Sequence, residues 1–293
     1  MAQVRVQHRL SPDERHQVTA FLRAINELDS SQPNDHLLSD LTNEPRPGFT
    51  AAFAMHTDGT MVGYAQASAA NDGVLLGCFA HPAHPEVGLP LMRSVFESLP
   101  PGTATTWWTD DHHQEMAHAL GLANDRRLLN MRCTLPVEAT TELPTRPFQA
   151  GADETAWLAV NNAAFAWHGE QGGWDMPTLL QRENEAWFDP EGFLLHERDG
   201  RLAGFCWTKL FRDDPPVGEI YVIAVHPDFH GRGLGRALTV AGLQHLHAIG
   251  ATTAMLYVDA DNTAAVHLYE QLGFFVHHAD QSYRRVTGQA HAD

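Results

Sequence analysis

A glycine-rich turn in the C-terminal half carries the strongest chemical signal in this sequence. An apolar run that ends at Val225 is followed by Gly231, Gly233 and Gly235, where an amphipathic stretch begins. Glycines between a strand and a helix let successive backbone N–H groups converge on an anion, and the helix dipole adds favourable potential. The spacing predicts a pyrophosphate-binding turn, and a tight turn without a ligand is the alternative.

Two common phosphate loops do not fit this turn. A dinucleotide fingerprint needs G-x-G-x-x-G with an acidic residue about 20 positions later, and the third glycine here falls in the wrong place. A P-loop needs lysine followed by serine or threonine, and the turn contains no lysine. Both nucleotide-binding classes are therefore excluded.

Lysine occurs once among the 19 lysine and arginine residues, at Lys209. A compact, rotatable ammonium differs from the planar guanidinium used everywhere else, so Lys209 is a candidate functional residue, with chance retention as the alternative. The 19 histidines are scattered, and their closest groups lack an accompanying set of acidic or cysteine ligands. We therefore expect no metal site.

Composition restricts the class of partner. The formal charge of −17 repels nucleic acid and anionic membranes, so we expect a neutral or cationic small molecule as substrate. Cys78, Cys133 and Cys206 lack CxxC spacing and are expected to be reduced thiols. With no signal-peptide or membrane-spanning pattern, we expect a monomeric cytoplasmic protein.

The 293 residues divide into two similar halves. A proline-rich stretch without apolar periodicity predicts a linker at 136–147, between a domain at 1–135 and another at 148–293. In each half a helix precedes three β-rich runs, and a helix, strand and helix follow. This order predicts two tandem α/β (α+β) domains, each with a mixed, mostly antiparallel sheet flanked by helices. The first helix is predicted to start at a capping box formed by Ser11 and Glu14 and to reach about Leu28. The predicted strands and helices after the first helix of each half span 50–56, 61–67, 74–80, 89–98, 104–108 and 114–121, then 192–197, 202–210, 217–225, 235–249, 252–258 and 262–272.

Two motifs in this order resemble the GNAT acetyltransferase superfamily. The turn is similar to its (Q/R)-x-x-G-x-(G/A) loop, and the segment from Asn262 to Phe274 is similar to its final helix signature. Asn262 and Tyr269 share one helix face about two turns, or roughly 10 Å, apart. The pantetheine arm of acetyl-CoA would then run along this helix, with the Tyr269 hydroxyl near the thioester sulfur. A tyrosine that only fills the core is the alternative.

Longer segments narrow the resemblance to the mycothiol synthase family of tandem GNAT enzymes. Similarity runs through most of 150–285 and is weaker across 1–135. It is carried by residues 160–174, 185–190, 205–209 and 218–222. The resemblance implies acetyl-CoA-dependent acetylation of the cysteinyl amine of cysteinyl-glucosaminyl-inositol. Acetylation of another amine, in an aminoglycoside or a peptide N-terminus, and acetyl-CoA binding without catalysis remain open.

The same resemblance assigns roles to individual residues. It makes Glu219 the base that acts on the substrate amine and Tyr269 the acid at the leaving thiolate. The substrate-binding residues that it implies are Asp35, Glu170, Lys209, Glu219 and Tyr257, with His36 as the alternative to Asp35. The acetyl-CoA-binding residues that it implies are Ile223, Ala224, Val225, His230, Gly231, Arg232, Gly233, Leu234, Gly235, Arg236, Asn262, Thr263, Ala264, Ala265, Val266 and His267, with Cys78, Phe79 and Ala80 in the first half.

Ordinary pKa values agree with these roles. An α-amino group has a pKa of about 7.7 to 8.0, so a carboxylate such as Glu219 suffices as base. A thiol near 8.5 and a phenol near 10 make full proton transfer from Tyr269 uphill by about 2 kcal/mol, so we expect a hydrogen bond or a concerted transfer. A backbone N–H near Ala224 or Val225 is expected to meet the thioester oxygen.

Two departures from the superfamily pattern stand out. His230 occupies a place that usually holds glutamine or arginine. The equivalent turn of the first half, residues 78–90, keeps one glycine and contains prolines, which lack an N–H. The first domain is therefore predicted to be non-catalytic.

Overall fold

The computed structural model describes residues 2–29, 33, 35–70, 73–109, 111–166, 171–212 and 214–285, with the backbone alone at 29, 35, 36 and 111. The chain forms two compact units. Of the described residues, the first unit holds 2–126 and 280–285, and the second holds 127–279.

The first unit is a mixed sheet with helices on both faces. Its strands follow the order β1-β2-β3-β4-β5-β12, and β4 and β5 form its parallel pair. One apolar core lies against α3 and α4, and another lies against α1 and α2. The elements are β1 (Gln3–Gln7), α1 (Pro12–Asp29), α2 (Asp35–Thr42), β2 (Thr50–Met55), β3 (Met61–Ala70), β4 (Gly73–Ala80), α3 (Gly88–Ser98), β5 (Thr105–Thr109), α4 (Gln114–Ala119), β6 (Ala123–Thr134) and β12 (Phe275–Arg285).

The second unit repeats this plan. Its strand order is β6-β11-β10-β9-β8-β7, and β10 and β11 form its parallel pair. One core lies between the sheet and α7 with α8, and an aromatic core lies on the α5 and α6 face. The elements are β7 (Arg146–Pro147), α5 (Glu154–Ala164), α6 (Met176–Glu183), β8 (Phe193–Arg198), β9 (Arg201–Phe211), β10 (Val217–Val225), α7 (Leu234–Ala248), β11 (Thr253–Asp259) and α8 (Thr263–Gln271).

The predicted fold class of mixed, mostly antiparallel sheets with flanking helices is confirmed. The predicted start of the first helix is also present, because Ser11 and Glu14 form a reciprocal capping box. The Ser11 amide donates to the Glu14 carboxylate at 2.9 Å, and the Glu14 amide donates to the Ser11 hydroxyl at 3.2 Å.

The bounds of the compact units differ from the predicted segments because two strands pass from one unit to the other. Residues 128–134 of β6 pair with β11, and residues 281–285 of β12 pair with β5. Before β7 the segment 136–145 has no helix or strand, and Val137, Ala139 and Leu143 pack against the core of the second unit. The linker and domain boundaries at 135 and 148 stay predictions.

Candidate active site

The parallel strands β10 and β11 separate part of the way along their length. Residues Val217–Ile220 of β10 pair with residues Thr253–Leu256 of β11. Both strands continue, to Val225 and Asp259, without further pairing to each other in the described chain. The sheet therefore has an opening between β10 and β11 beyond Ile220.

A β-bulge marks the start of this opening. On β10, Ile220 lies opposite Thr208 of β9 and Val222 lies opposite Trp207, so Tyr221 is an extra residue. A bulge bends its strand and increases the local twist. The bend therefore accounts for the departure of β10 from β11 at this point.

Glu219 lies on the α5 face of the sheet, just before the opening. Its neighbours Gly218 and Ile220 face α7, since a Cβ on Gly218 would meet Leu246 and Ile220 belongs to the α7 core. Successive strand side chains alternate between faces, which directs Glu219 to the opposite side. Its side chain is buried, with 8% of its surface exposed.

Tyr269 lies on the other face, in the core formed with α7. Burial raises the pKa of its phenol, and the Cys206 thiol adds to this effect. Cys206 is the register partner of Ile223, and Ile223 packs against the same core as Tyr269. In the described chain no protein group hydrogen-bonds to its hydroxyl.

The raised pKa refines the sequence-based expectation for Tyr269. Proton transfer from this phenol to a thiolate is more unfavourable than the figure from ordinary pKa values. The phenol is thus suited to donate a hydrogen bond while it stays protonated.

The glycine-rich turn leaves its backbone open. Gly231 and Gly233 have φ angles of 72° and 74°, a left-handed conformation that favours glycine. A Cβ at Gly231, Gly233 or Gly235 would meet no heavy atom within 4 Å. Among the described residues, the amides of 231–235 donate to no protein acceptor, so they are available to an anion at the start of α7.

Two histidine side chains form hydrogen bonds at the start of this turn. His226 accepts a hydrogen bond from the Asp228 amide at 3.2 Å, and the His230 imidazole donates to the Val225 carbonyl at 2.9 Å. His230 thus holds the turn against β10, a use that the sequence comparison with glutamine or arginine did not indicate. Arg232 and Arg236 are exposed beside the glycines.

A short polar cap begins α8. The Asn262 side chain accepts a hydrogen bond from the Ala265 amide at 3.3 Å, and residues 262–264 are exposed. Val266 is partly buried against the core that contains Tyr269. The predicted shared face thus runs from an exposed cap to a buried phenol.

Lys209 and Tyr257 share the sheet face of Glu219. Lys209 is the direct register partner of Glu219 on β9, so their side chains are neighbours. Met255 is the partner of Glu219 on β11, and Tyr257 follows two residues later with 45% of its surface exposed. The three polar residues therefore line one surface beside the opening.

Aromatic residues that the sequence analysis did not single out surround the Lys209 ammonium. Its Nζ lies 4.7 Å from the ring centroids of Trp187 and Phe211 and 5.8 Å from that of Tyr221. Trp187 belongs to a segment quoted only for its resemblance, and strand register is needed to bring it to Lys209.

Two predicted substrate contacts fall outside the described chain. Glu170 lies in the undescribed segment 167–170, and the side chains of Asp35 and His36 are likewise not described. Their assignments stay predictions.

The predicted contacts of the first unit lie at the end of β4, which also extends beyond its parallel pairing with β5. Cys78 donates to the Gly88 carbonyl at 3.7 Å, and burial raises the pKa of its thiol to about 12. Phe79 is buried and Ala80 is partly exposed. A neutral thiol engaged within the protein gives Cys78 no anion-binding role by itself.

Within the described ranges, no three His, Cys, Asp or Glu side chains come together in an arrangement that could hold a metal ion. None of the described helices is both long enough and apolar enough to traverse a bilayer.

Comparison with known proteins agrees with this architecture. Residues 157–274 match the family model described as Acetyltransferase (GNAT) family. A GCN5-related N-acetyltransferase from Sphaerobacter thermophilus has a TM-score of 0.75 at 20% identity, covering 98% of this chain and 96% of that one. A tandem GNAT protein from the clavulanic acid biosynthesis pathway has a TM-score of 0.69 at 15% identity, and the match covers 98% of this chain and 100% of that one. These structures share the fold.

Curated relatives are considerably closer in sequence. The mycothiol acetyltransferase of Acidimicrobium ferrooxidans is 39% identical over 90% of this chain and 91% of its own. Those of Streptomyces coelicolor and Thermobispora bispora are 38% and 40% identical, covering 95% and 96% of this chain and 94% and 99% of theirs. With identity at this level along nearly the whole length, the chain belongs to the mycothiol acetyltransferase family of GNAT N-acetyltransferases.

Proposed function

We propose that this enzyme transfers the acetyl group of acetyl-CoA to the cysteinyl amine of cysteinyl-glucosaminyl-inositol, the last step of mycothiol biosynthesis. The observation that carries the proposal is the opening between β10 and β11. Glu219 is on the α5 face of the sheet just before the opening, and Tyr269 is in the core on the α7 face, against which Ile223 of β10 packs. A thioester passing through the opening would meet an amine on the first face and a phenol on the second.

The glycine turn fits the diphosphate of acetyl-CoA. The space beside its three glycines is open, its amides donate to no acceptor among the described residues, and α7 contributes its positive end. Arg232 and Arg236 add positive charge on either side. The proposed acetyl-CoA contacts are the edge of β10 (Ile223, Ala224 and Val225), the turn from His230 to Arg236 and the start of α8 from Asn262 to His267.

Glu219 acts as the base in this proposal. It takes a proton from the substrate ammonium, and the amine nitrogen then forms a bond to the thioester carbonyl carbon. Charge that develops on the carbonyl oxygen is stabilised by a backbone N–H of Ala224 or Val225 beyond the bulge. The carbon–sulfur bond breaks while Tyr269 donates a hydrogen bond to the departing sulfur. The nitrogen releases its second proton to give the neutral amide, and the thiolate takes up one proton to leave as the CoA thiol.

Substrate recognition is assigned to the α5 face. Lys209 donates hydrogen bonds to substrate hydroxyls, and the exposed Tyr257 ring borders the same surface. Glu170 and Asp35 complete the set as proposals from family resemblance. We further propose that the enzyme is a monomer without nucleic-acid or membrane partners. A cytoplasmic location accords with its three unpaired cysteines, Cys78, Cys133 and Cys206.

The test is turnover of acetyl-CoA with cysteinyl-glucosaminyl-inositol, followed by the appearance of free CoA thiol and by the product mass. We expect a product heavier by one acetyl group, blocked at the amine rather than at the thiol. Acetylation of an aminoglycoside or a peptide N-terminus but not of this compound would overturn the proposed substrate. Binding of acetyl-CoA without thiol release with any amine would overturn catalysis.

A further inference from the structure

Strand register places Lys209 directly opposite Glu219. The rings of Trp187, Phe211 and Tyr221, which form an aromatic cage, contact the Lys209 ammonium instead. Direct partners on antiparallel strands have Cβ atoms about 4.5–5.5 Å apart on the same face. An ammonium and a carboxylate so placed would pair by default, and such a pair lowers the pKa of the carboxylate. A carboxylate paired in this way is a weaker base.

The observed Lys209 side chain does not form that pair. Among the described residues its ammonium contacts the rings of Trp187, Phe211 and Tyr221 and no carboxylate. Two of these rings lie at equal distances of 4.7 Å, within the range of a cation–π contact. The cage therefore competes with Glu219 for the ammonium.

Trp187 is the part of the cage that comes from outside β9 and β10. Its ring also packs on Tyr221 with centroids 4.9 Å apart and on Trp207 at 5.7 Å. These contacts fix the plane of the indole before any substrate binds. Phe211 and Tyr221, in contrast, are placed by the strands themselves.

We infer that Trp187 is a positioning residue that holds the Lys209 ammonium away from Glu219, so that Glu219 serves as base while Lys209 is presented to substrate hydroxyls. The inference rests on the proposed function for the role of Glu219. It adds a requirement that family resemblance did not supply, namely that base strength depends on an indole in the segment before β8.

Among the described residues, other charged and titratable groups also lie on the sheet face of Glu219. Helix α7 packs on the opposite face. On the described strands, the charged and titratable groups on the Glu219 face are Arg132, Lys209, Tyr221, Tyr257 and Asp259, and α5 carries the buried Glu154 in its first turn. Of these, Lys209 is the cation on a strand that pairs directly with β10.

The first experiment uses the fact that Lys209 is the only lysine of the sequence. In the full chain labelled with ¹³C-lysine, Lys209 gives the single lysine side-chain signal, and ring currents from the cage shift its Hε protons upfield. Trp187→Leu is expected to move this signal toward the random-coil position, and Trp187→Phe is expected to retain most of the shift. A wild-type signal at the random-coil position, or one that Trp187→Leu leaves unchanged, would overturn the cage.

The second experiment measures the pH dependence of kcat/KM. We expect the acidic limb of Trp187→Leu to move down by about one pH unit, because Lys209 then pairs with Glu219. The pH-independent rate is expected to fall roughly threefold with the weaker base. The substrate amine titrates identically in every variant, so a difference between profiles belongs to the enzyme.

Two controls separate positioning from loss of packing. Phe188→Leu removes a neighbouring ring that packs on Phe148 and Trp207 and should leave the limb in place. Adding Trp187→Leu to Lys209→Met should cause no further shift, because no ammonium remains to pair with Glu219. A limb that stays fixed in Trp187→Leu, or that moves equally in the double variant, rejects the inference. Absence of turnover in the wild type rejects the proposed function and leaves the spectroscopic test valid.

Discussion

In each unit one strand continues beyond the end of its pairing with its parallel neighbour. The two units differ in the side chains at the end of that pairing. Pairing between β4 and β5 ends at Leu76 and Trp107, as pairing between β10 and β11 ends at Ile220 and Leu256. The residue before this point is Leu75 in the first unit and Glu219 in the second. The first unit therefore has a buried apolar side chain in place of the proposed base.

The phenol is replaced in the same way. The amides of Leu120 and Leu122 bond to the Ala117 carbonyl after α4, and those of Leu272 and Phe274 bond to the Tyr269 carbonyl after α8. Identical hydrogen-bonded turns make Ala117 the counterpart of Tyr269. The first unit thus keeps the helix end and lacks the acid.

The bulge supplies the third difference. The β3–β4 register runs without a shift from Ala70–Gly73 to Gly63–Ala80, whereas β9–β10 shifts at Tyr221. In the first unit a turn containing Pro85 takes the place of the open glycines. The two units therefore share the splayed sheet, and the bulge, the open amides and two side chains distinguish the unit to which we assign acetyl transfer.

The largest expected effect comes from removing the carboxylate of the proposed base, which the first unit lacks. Glu219→Gln keeps the size of the side chain and removes the proton acceptor. We expect kcat/KM to fall by about 10²–10⁴-fold with little change in acetyl-CoA affinity, measured by steady-state kinetics and by calorimetry.

The exposed carboxylate Glu191 provides the matched control. Glu191→Gln should retain wild-type rates. A Glu219→Gln enzyme within threefold of wild type would remove the main distinction between the units.

The next effect concerns the strand that the C-terminus adds to the first unit. Tyr283 is buried on β12 with its ring centroid 6.4 Å from that of Trp107, so Tyr283→Ala should lower the free energy of unfolding of this unit by about 3–5 kcal/mol. Denaturant unfolding followed by hydrogen exchange would locate the loss in the first unit. Phe275→Ala, on the same strand but 57% exposed, should cost less than about 1 kcal/mol, and equal losses would contradict the assignment of β12.

Tyr269→Phe tests the phenol while retaining the buried ring. Loss of a hydrogen-bond donor to the departing sulfur should lower kcat about 10²-fold. Measured kcat values for an amine of fixed reactivity would show this directly.

The pH dependence of Tyr269 has a defined sign. Burial raises its pKa, so the phenol contributes stability fully below its unfolded pKa of about 10, and that stability is lost as pH rises through the higher folded value. Urea unfolding at pH 8 and above pH 10 should show a smaller alkaline loss in Tyr269→Phe. An alkaline limb in kcat below pH 9 that disappears in this variant would contradict the protonated phenol.

The smallest effect is expected at the glycine turn. Gly233→Ala forces a Cβ onto a residue with φ of 74°, at about 1–2 kcal/mol of strain, and fills space reserved for the diphosphate. We expect KM for acetyl-CoA to rise several-fold. Gly88→Ala at the start of α3 has an ordinary φ of −58°. Its new Cβ would meet the flexible end of Met116 at 3.2 Å and the Cys78 Sγ at 3.8 Å. This variant should leave that KM unchanged, and equal effects would remove the contrast between the turns.

Much of this organisation was readable from the sequence because its causes are local. Alternating and helical patterns predicted β10 at the observed residues and α7 to within one residue at each end. The capping residues of α1 and the glycines before α7 act through backbone groups of their own segments, which is why they were recognisable. The fold class followed from the order of these elements, and the family followed from the motifs and longer segments that resemble it.

Other elements were missed because their stability comes from distant partners. Strand β12 has little apolar periodicity at its start, with Phe275 and Val276 exposed, and its second half is held by β5. Strand β6 likewise pairs with β11 far along the chain. No local pattern in either strand shows which unit it completes.

The sequence by itself determined the glycine turn, the carboxylate, the phenol and the single lysine, because each is a matter of residue type and spacing. Only the tertiary structure decided that Glu219 lies on the α5 face of the sheet and Tyr269 in the core of the α7 face, and that a bulge at Tyr221 marks where β10 leaves β11. It also decided that the Lys209 ammonium lies over the Trp187 ring. Strand register and sheet faces arise from hydrogen bonds between segments far apart in the chain, so they appear only when the chain has folded.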